Sequence, residues 1–457
     1  MASLANVTPG ASYPGLLKTE NNTGLTAGAQ NITDGDGNNT RLFVSTTNFN
    51  SRSVGGNCAG VRNTAIGQGV LVNNVTGDDL VAIGFCALGA NVSSTEIIAI
   101  GPDVMKCHTS GSGNVAIGTY VRAGSTTGSN NVHIGRYVAT ATACTEFNVA
   151  IGARSMQLGT CIGPHNVVIG SSDSMRYGDG GYNMVIGSEA MRNSFGTVSF
   201  NTAIGYASLF SASKSCQVAI GHRTLQDNSS GERNTAVGFS SGRFNTSGSC
   251  NTFVGSSSGY ANTTGSGLSA LGTDALKCNT TGNYNNAIGW NAMFSNTAGS
   301  NNEAIGVNAL YNNTSGGCNT AIGQGAMYYN ITGGANIAVG RSSLEANTIG
   351  NENIAIGRQA LAANVTGSQN VAIGRSAMVG NTGGSINTAI GWAANSGNFS
   401  CSVILGACAT ATANNQFVVG ATGAFNAGSV VVGTISPTHT WTVNINGQNY
   451  RIPLIPV

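Results

Sequence analysis

NIAIGRQALAANVTGSQ at residues 353–369 runs without a gap into NVAIGRSAMVGNTGGSI at 370–386 and NTAIG at 387–391, in-phase copies of one 17-residue unit. A Gly preceded by Ile, Val or Leu recurs at this interval from Gly67 through Gly118, Gly205, Gly289 and Gly357 to Gly391. Two shorter steps, to Gly406 and Gly420, bring the series to 22 turns, and only Gly170, Gly205 and Gly221 slip by one residue. A period this short is a solenoid signature: one unit is too small to bury its own apolar side chains, so copies must stack.

The columns of the repeat say how. Relative to the repeat Gly, Asn stands four positions before it in 16 of the first 20 turns, and Ala two before it in 16 of 20. Leu or Met stands four after it in 14 of 20, and an unbroken series of 11 Asn lies seven after it, from Asn228 to Asn398. Each unit reads as a short strand, a sharp Gly bend, a second short strand ending in Leu or Met, and a polar N-x-T-G turn. Alternation along the first strand puts Ile on one face and Ala on the other. We expect Ile inside the coil, Asn amides laddered along a rod of roughly 100 Å with coils ~4.8 Å apart, and a small-residue outer face. That Ala face, at Ala203, Ala287, Ala321, Ala355 and Ala389, is expected to pack against other copies, three chains around an axis being the economical closure.

Composition agrees with tight coiling. Of 457 residues 67 are Gly, and 36 of these are corners, 22 at the repeat Gly and 14 in the N-x-T-G turn. Gly without a three-residue period excludes collagen, and its spread through the chain argues against long helices. A charged fraction of 8% with a net charge of +2 gives no footprint for nucleic acid. The opening MASLANVTPG has no signal-peptide pattern, and no apolar run is long enough to span a bilayer, so neither export nor membrane insertion is expected.

The strings NVAIG at 114–118 and 370–374, NTAIG at 201–205 and NIAIG at 353–357 resemble the repeat of trimeric autotransporter adhesin heads. That resemblance covers about residues 57–420 and implies an all-β fold, a left-handed parallel β-roll in a homotrimer. Residues 1–56 lack the repeat; GLLKT at 15–19 and ITDGDGNNTRLFVST at 32–46 resemble segments of tailed-bacteriophage fibre proteins and imply an attachment or adaptor segment. Residues 421–457 hold TWTVNINGQNYRIPL, two alternating runs about an Asn446-Gly447 turn, which read as a β-hairpin cap and resemble C-terminal segments of viral fibre-like proteins. Together the resemblances imply a virion structural protein, on tail or capsid, assembled in the host cytoplasm. Its partners would be other virion proteins through the N-terminal segment and a host surface polysaccharide or receptor. A bacterial trimeric surface adhesin stays open, as do an ice-binding solenoid, although Ala298, Ile349 and Gly383 interrupt its Thr column, and a glycan-degrading one.

No chemistry recurs in phase. Fifteen N-x-S/T sequons reflect the turn column rather than glycosylation, since Asn228, Asn245, Asn262, Asn279, Asn313, Asn330, Asn364 and Asn398 share one position. Eleven Cys form no C-x-x-C and read as buried thiols, although Cys144 and Cys161 lie one turn apart and could bridge. His133 replaces an Ala of the presumed axis-facing column and could place a three-fold ion site there. Carboxylates never pair in phase, so we expect no catalysis, no cofactor and no metal. One variable column follows the repeat Gly, carrying Trp290, Arg341, Arg358, Arg375 and Trp392 as possible glycan contacts.

Overall fold

The computed structural model describes residues 60, 62–140, 146–157, 163–176 and 180–420, and, as backbone only, the strands Lys18–Thr19, Gln30–Thr33, Asn39–Val44, Thr440–Ile445 and Gln448–Pro453. The chain is an all-β parallel solenoid of about 20 turns, with no helix among the described residues. It divides into two compact units, 1–319 with 330–332, and 320–329 with 333–457. In the first, fifteen three- to five-residue rungs run in register from Thr64–Ile66 to Glu303–Ile305; in the second, seven run from Thr320–Ile322 to Phe417–Val419. Extra residues before Gly170 and Gly205 leave the ladder intact: Val149 pairs with Val167, and Met184 with Thr202. Gln30–Thr33 pairs antiparallel with both Lys18–Thr19 and Asn39–Val44. Thr440–Ile445 pairs with Gln448–Pro453, closing from Ile445 against Gln448 as a hairpin with a two-residue loop. Cys144 and Cys161 lie outside the described residues.

Two buried Asn columns hold the coil shut. In the turn column, Asn279 donates one amide hydrogen to Asn262 Oδ1 at 2.8 Å and the other to Gly282 O at 3.1 Å, and Asn296 repeats this against Asn279 and Gly299. In the strand column, Asn285 Oδ1 accepts the backbone N–H of Asn302 at 2.9 Å and its side-chain amide at 3.2 Å, while Asn285 Nδ2 donates to Gly299 O at 2.7 Å. The carbonyl of Gly299 therefore ties the two sides of the coil together. Asn fits because one short side chain supplies both donors and an acceptor. The sequon residues Asn228, Asn245, Asn262, Asn279, Asn313, Asn330 and Asn364 are completely buried in this ladder, which keeps their amide nitrogens from a glycan on the folded chain.

The corners need Gly for two separate reasons. Gly289 has a φ of 136°, and a Cβ there would lie 2.6 Å from the carbonyl oxygen of Gly306. More unexpected is how many other residues are left-handed: between Gly272 and Gly289 alone, Asp274, Leu276 and Tyr284 have φ of 57°, 51° and 53°. Each such residue costs roughly 1–2 kcal/mol. The twist turns their N–H groups along the stack, where Asp274 donates to Ser256 O, Tyr284 to Ser266 O and Leu276 to Ala292 O at 2.9–3.0 Å.

Inside and outside are the reverse of the expectation. Ala203, Ala287, Ala321, Ala355 and Ala389 are fully buried within their own chain, while the adjoining Ile and Val are half-buried or exposed, as at Ile288 (42% exposed) and Ile356 (40%). The interior is already filled by the buried Leu and Met four residues after the repeat Gly, which leaves methyl-sized room opposite. At one rung the sizes are exchanged. Phe253 occupies an Ala position, and the flanking Leu/Met positions are Gly242 and Gly259, where a Cβ would stand 2.7 and 2.4 Å from the Phe253 ring. Phe253→Ala should therefore open a cavity and cost about 3–5 kcal/mol in denaturant unfolding. Adding Gly242→Leu should recover part of that loss only in the Phe253→Ala background.

Candidate functional site

The outward side of each rung presents four alternating positions: five, three and one before the repeat Gly, and one after it. At Gly205 they are Phe200, Thr202, Ile204 and Tyr206, and at Gly289 they are Tyr284, Asn286, Ile288 and Trp290. In the second unit they are Glu352, Ile354, Ile356 and Arg358 at Gly357, and Ile386, Thr388, Ile390 and Trp392 at Gly391. The two middle positions form the outer face of a parallel sheet, a surface that α/β folds cover with helices and that no segment of the described residues covers here. Ile66, Ile98, Ile169, Met184, Val254, Leu271 and Ile288 lie exposed along it in the first unit, and Ile337, Ile356, Ile373 and Ile390 in the second. At the rungs between them the residue before the repeat Gly is a half-buried Ile, Val or Leu, and exposed apolar surface of this kind is where proteins commonly meet partners.

Aromatic ladders rim the face. Phe147, His165, Tyr182 and Phe200 stack on successive rungs at the upstream edge, with ring centroids 5.0, 4.9 and 5.1 Å apart. Tyr206, His222 and Phe239 stack at the downstream edge at 5.3 and 5.1 Å. Both spacings follow from the strand interval, since like residues in a parallel ladder lie directly above one another. Of the eight described cysteines, Cys216, Cys250, Cys318 and Cys401 are exposed, and all four stand on the upstream edge. The expectation of buried thiols fails for these.

Trp290, Arg341, Arg358, Arg375 and Trp392 all lie exposed on the downstream edge. Arg341, Arg358 and Arg375 occupy successive rungs, and none has a carboxylate within ion-pair distance among the described residues. Ala203, Ala287, Ala321, Ala355 and Ala389, expected to meet other copies, point into the coil instead; the residues available to a partner are the Ile and Val beside them. The exchange of Phe253 with Gly242 and Gly259 was the sequence signal for this, because residues that trade volume must share a core.

His133 is likewise inside the coil rather than on an outer axis. It pairs across the ladder with Ala116 and Ala150, fully buried, with no hydrogen-bond partner for either ring nitrogen. Arg122, fully buried in the Leu/Met column, donates to Asn114 Oδ1 at 2.8 Å and to Thr127 O at 2.7 Å. Burial, reinforced by the Arg122 charge, holds His133 well below the usual histidine range and lowers His108 to about 4. Among the described residues, no three His, Cys, Asp or Glu lie together as metal ligands would. No protein-family model matches the chain, and no curated protein or solved structure does either.

These histidines set a pH dependence. The unfolded chain takes up protons near pH 6.5 that the folded chain refuses, so stability should fall as pH drops from about 6.5 toward 4, by up to about 1.4 kcal/mol per pH unit for each histidine. Restoring the column consensus with Arg122→Leu and His133→Ala should raise stability by about 1–4 kcal/mol at neutral pH and shallow the acid slope in urea titrations. An unchanged slope would remove His133 from the account.

Proposed function

We propose that this chain forms the body of a homotrimeric, left-handed β-roll fibre, a virion structural protein of tailed-phage type that adheres to the host surface. The observation that carries the oligomer is the outward sheet face, which carries Ile, Val or Leu before the repeat Gly at every described rung of each unit and is covered by none of the described residues. Three copies close it well. The four outward positions span about 20 Å of extended chain, so three such faces around an axis enclose a prism whose walls stand about 6 Å from its centre, within reach of Ile and Val side chains. Two facing sheets would pack about 10 Å apart and leave the rims wetter.

The virion setting rests on the resemblance of GLLKT and ITDGDGNNTRLFVST to fibre segments, which makes residues 1–56 the attachment segment toward other virion proteins. Adhesion would come from many weak contacts repeated by the assembly. The bacterial trimeric adhesin is the second reading, sharing the roll and the oligomer but sited on a cell envelope.

Light scattering on full-length protein should give about 138 kDa, three chains of 45.9 kDa. Ile288→Asp combined with Ile356→Asp should dissociate it, and a monomeric mass for the unsubstituted protein would overturn the homotrimer. Immunogold labelling should decorate purified virions; label confined to a bacterial envelope would replace the virion reading with the adhesin.

A further inference from the structure

A repeat that can assemble in one register can slide by one coil, about 4.8 Å, and meet an almost identical partner. The column just before the repeat Gly cannot prevent this, because it is Ile, Val or Leu at every rung. Register has to come from positions that differ between rungs: on the outward face these are the column three before the Gly, which passes from Ile98 to Asn286 and Glu303, and the two rims, where side chains vary most.

We propose that the two rims are the register code of the homotrimer: the upstream rim of one copy packs against the downstream rim of the next at the same repeat Gly. This rests on the oligomer reading above. Within one chain the rims of a rung are six residues apart, about 20 Å of extended chain, and cannot touch. A rotation axis along the ladder brings the upstream rim of each copy to the downstream rim of its neighbour, at equal height.

The residues fit that pairing. Phe200 meets Tyr206 at one rung, Tyr284 meets Trp290 at another, and Ile386 meets Trp392 in the second unit, each an exposed apolar or aromatic pair. Arg233 arrives beside Phe239, a cation against a ring face. Glu352 arrives at Arg358. Arg341, Arg358 and Arg375 have no carboxylate partner in their own chain among the described residues, and Glu352 is the one acid on the opposite rim at their three rungs, flanked by Ala335 and Gln369. Its carboxylate accepts a hydrogen bond from Gln369 Nε2 at 3.0 Å, which steadies it at the middle rung of the Arg column. Along both rims no described rung sets like charge against like charge: the bases Arg62 and Arg233 stand opposite Gln68 and Phe239, and Arg136 stands opposite Asn130. A slip of one coil toward the N-terminus would set Arg233 against His222 and leave Phe200 against Ser188.

On this assignment Trp290, the three Arg and Trp392 line a seam between copies instead of a glycan strip. The native cysteines supply the test. Cys250 is exposed on the upstream rim, and Ser256 is exposed at the downstream rim of the same rung. Ser256→Cys in the full chain, treated with mild oxidant or a short bismaleimide, should convert most of the protein to covalent two- and three-chain species on denaturing gels. Thr273→Cys, one rung away, should give no more than the unsubstituted protein, and Ala407→Cys should repeat the positive result against Cys401 in the second unit. Arg358→Glu should weaken assembly and Glu352→Arg in the same chain restore it. Light scattering on the same samples separates the two claims. A trimeric mass with no cross-link gained by Ser256→Cys, or with Thr273→Cys linking equally well, overturns the register code and frees the Arg column for a glycan. A monomeric mass overturns the homotrimer itself.

Discussion

The stacking of one coil on the next, at the interval of a parallel sheet, is the constraint on which the rest depends. A coil of this sequence is costly by itself: it holds three non-Gly residues in the left-handed region, as at Asp274, Leu276 and Tyr284, and it buries two Asn amides. Each of these costs is offset only by a neighbour. The left-handed residues aim their N–H groups at carbonyls above and below, and the Asn side chains bond to Asn one coil away. The repeat Gly completes the scheme, since a side chain at Gly289 would collide with the carbonyl of Gly306. Stability of such a ladder is a sum of nearest-neighbour terms, which explains why deviations such as Phe253 are compensated locally, at Gly242 and Gly259.

The period, the first strand of each unit, the Gly corners and the Asn ladders were legible in the residues because each is a fixed position repeated many times, whereas the second strand expected to end in Leu or Met is a run of turns. The sidedness was not. Alternation says that Ile and Ala lie on opposite faces and is silent about which face is inside; that is decided by what else fills the coil, here the Leu and Met column. Those Leu and Met were themselves hard to place, because propensity would not put Leu276 or Met293 at a φ near 51°. The correction moves the outward surface, and with it the proposed contact between copies, from Ala203 and Ala287 to Ile204 and Ile288, the next residues along. His133 and Arg122 read differently for the same reason: once the column is inside, they become a buried polar exchange for Ala and Leu, with depressed histidine basicity as its signature.

Two kinds of position thus divide the labour of one coil. Constant positions, the Gly, Asn, Ala and Leu/Met columns, build the ladder and make every coil alike. The most variable positions sit on the rims of the outward face, and there the chain carries its aromatic stacks, exposed cysteines and an Arg column without a carboxylate partner among the described residues. In the proposed assembly the constant columns give affinity and the variable ones give register.

An electron cryomicroscopy map of the purified full-length protein, at a resolution that shows side chains, tests this most directly. The account predicts three ladders around an axis, with Ile204 and Ile288 pointing toward it and Ala203 and Ala287 enclosed within each coil. A map with the Ala columns turned toward a neighbouring copy, or with a single ladder whose Ile face meets only solvent, would contradict it.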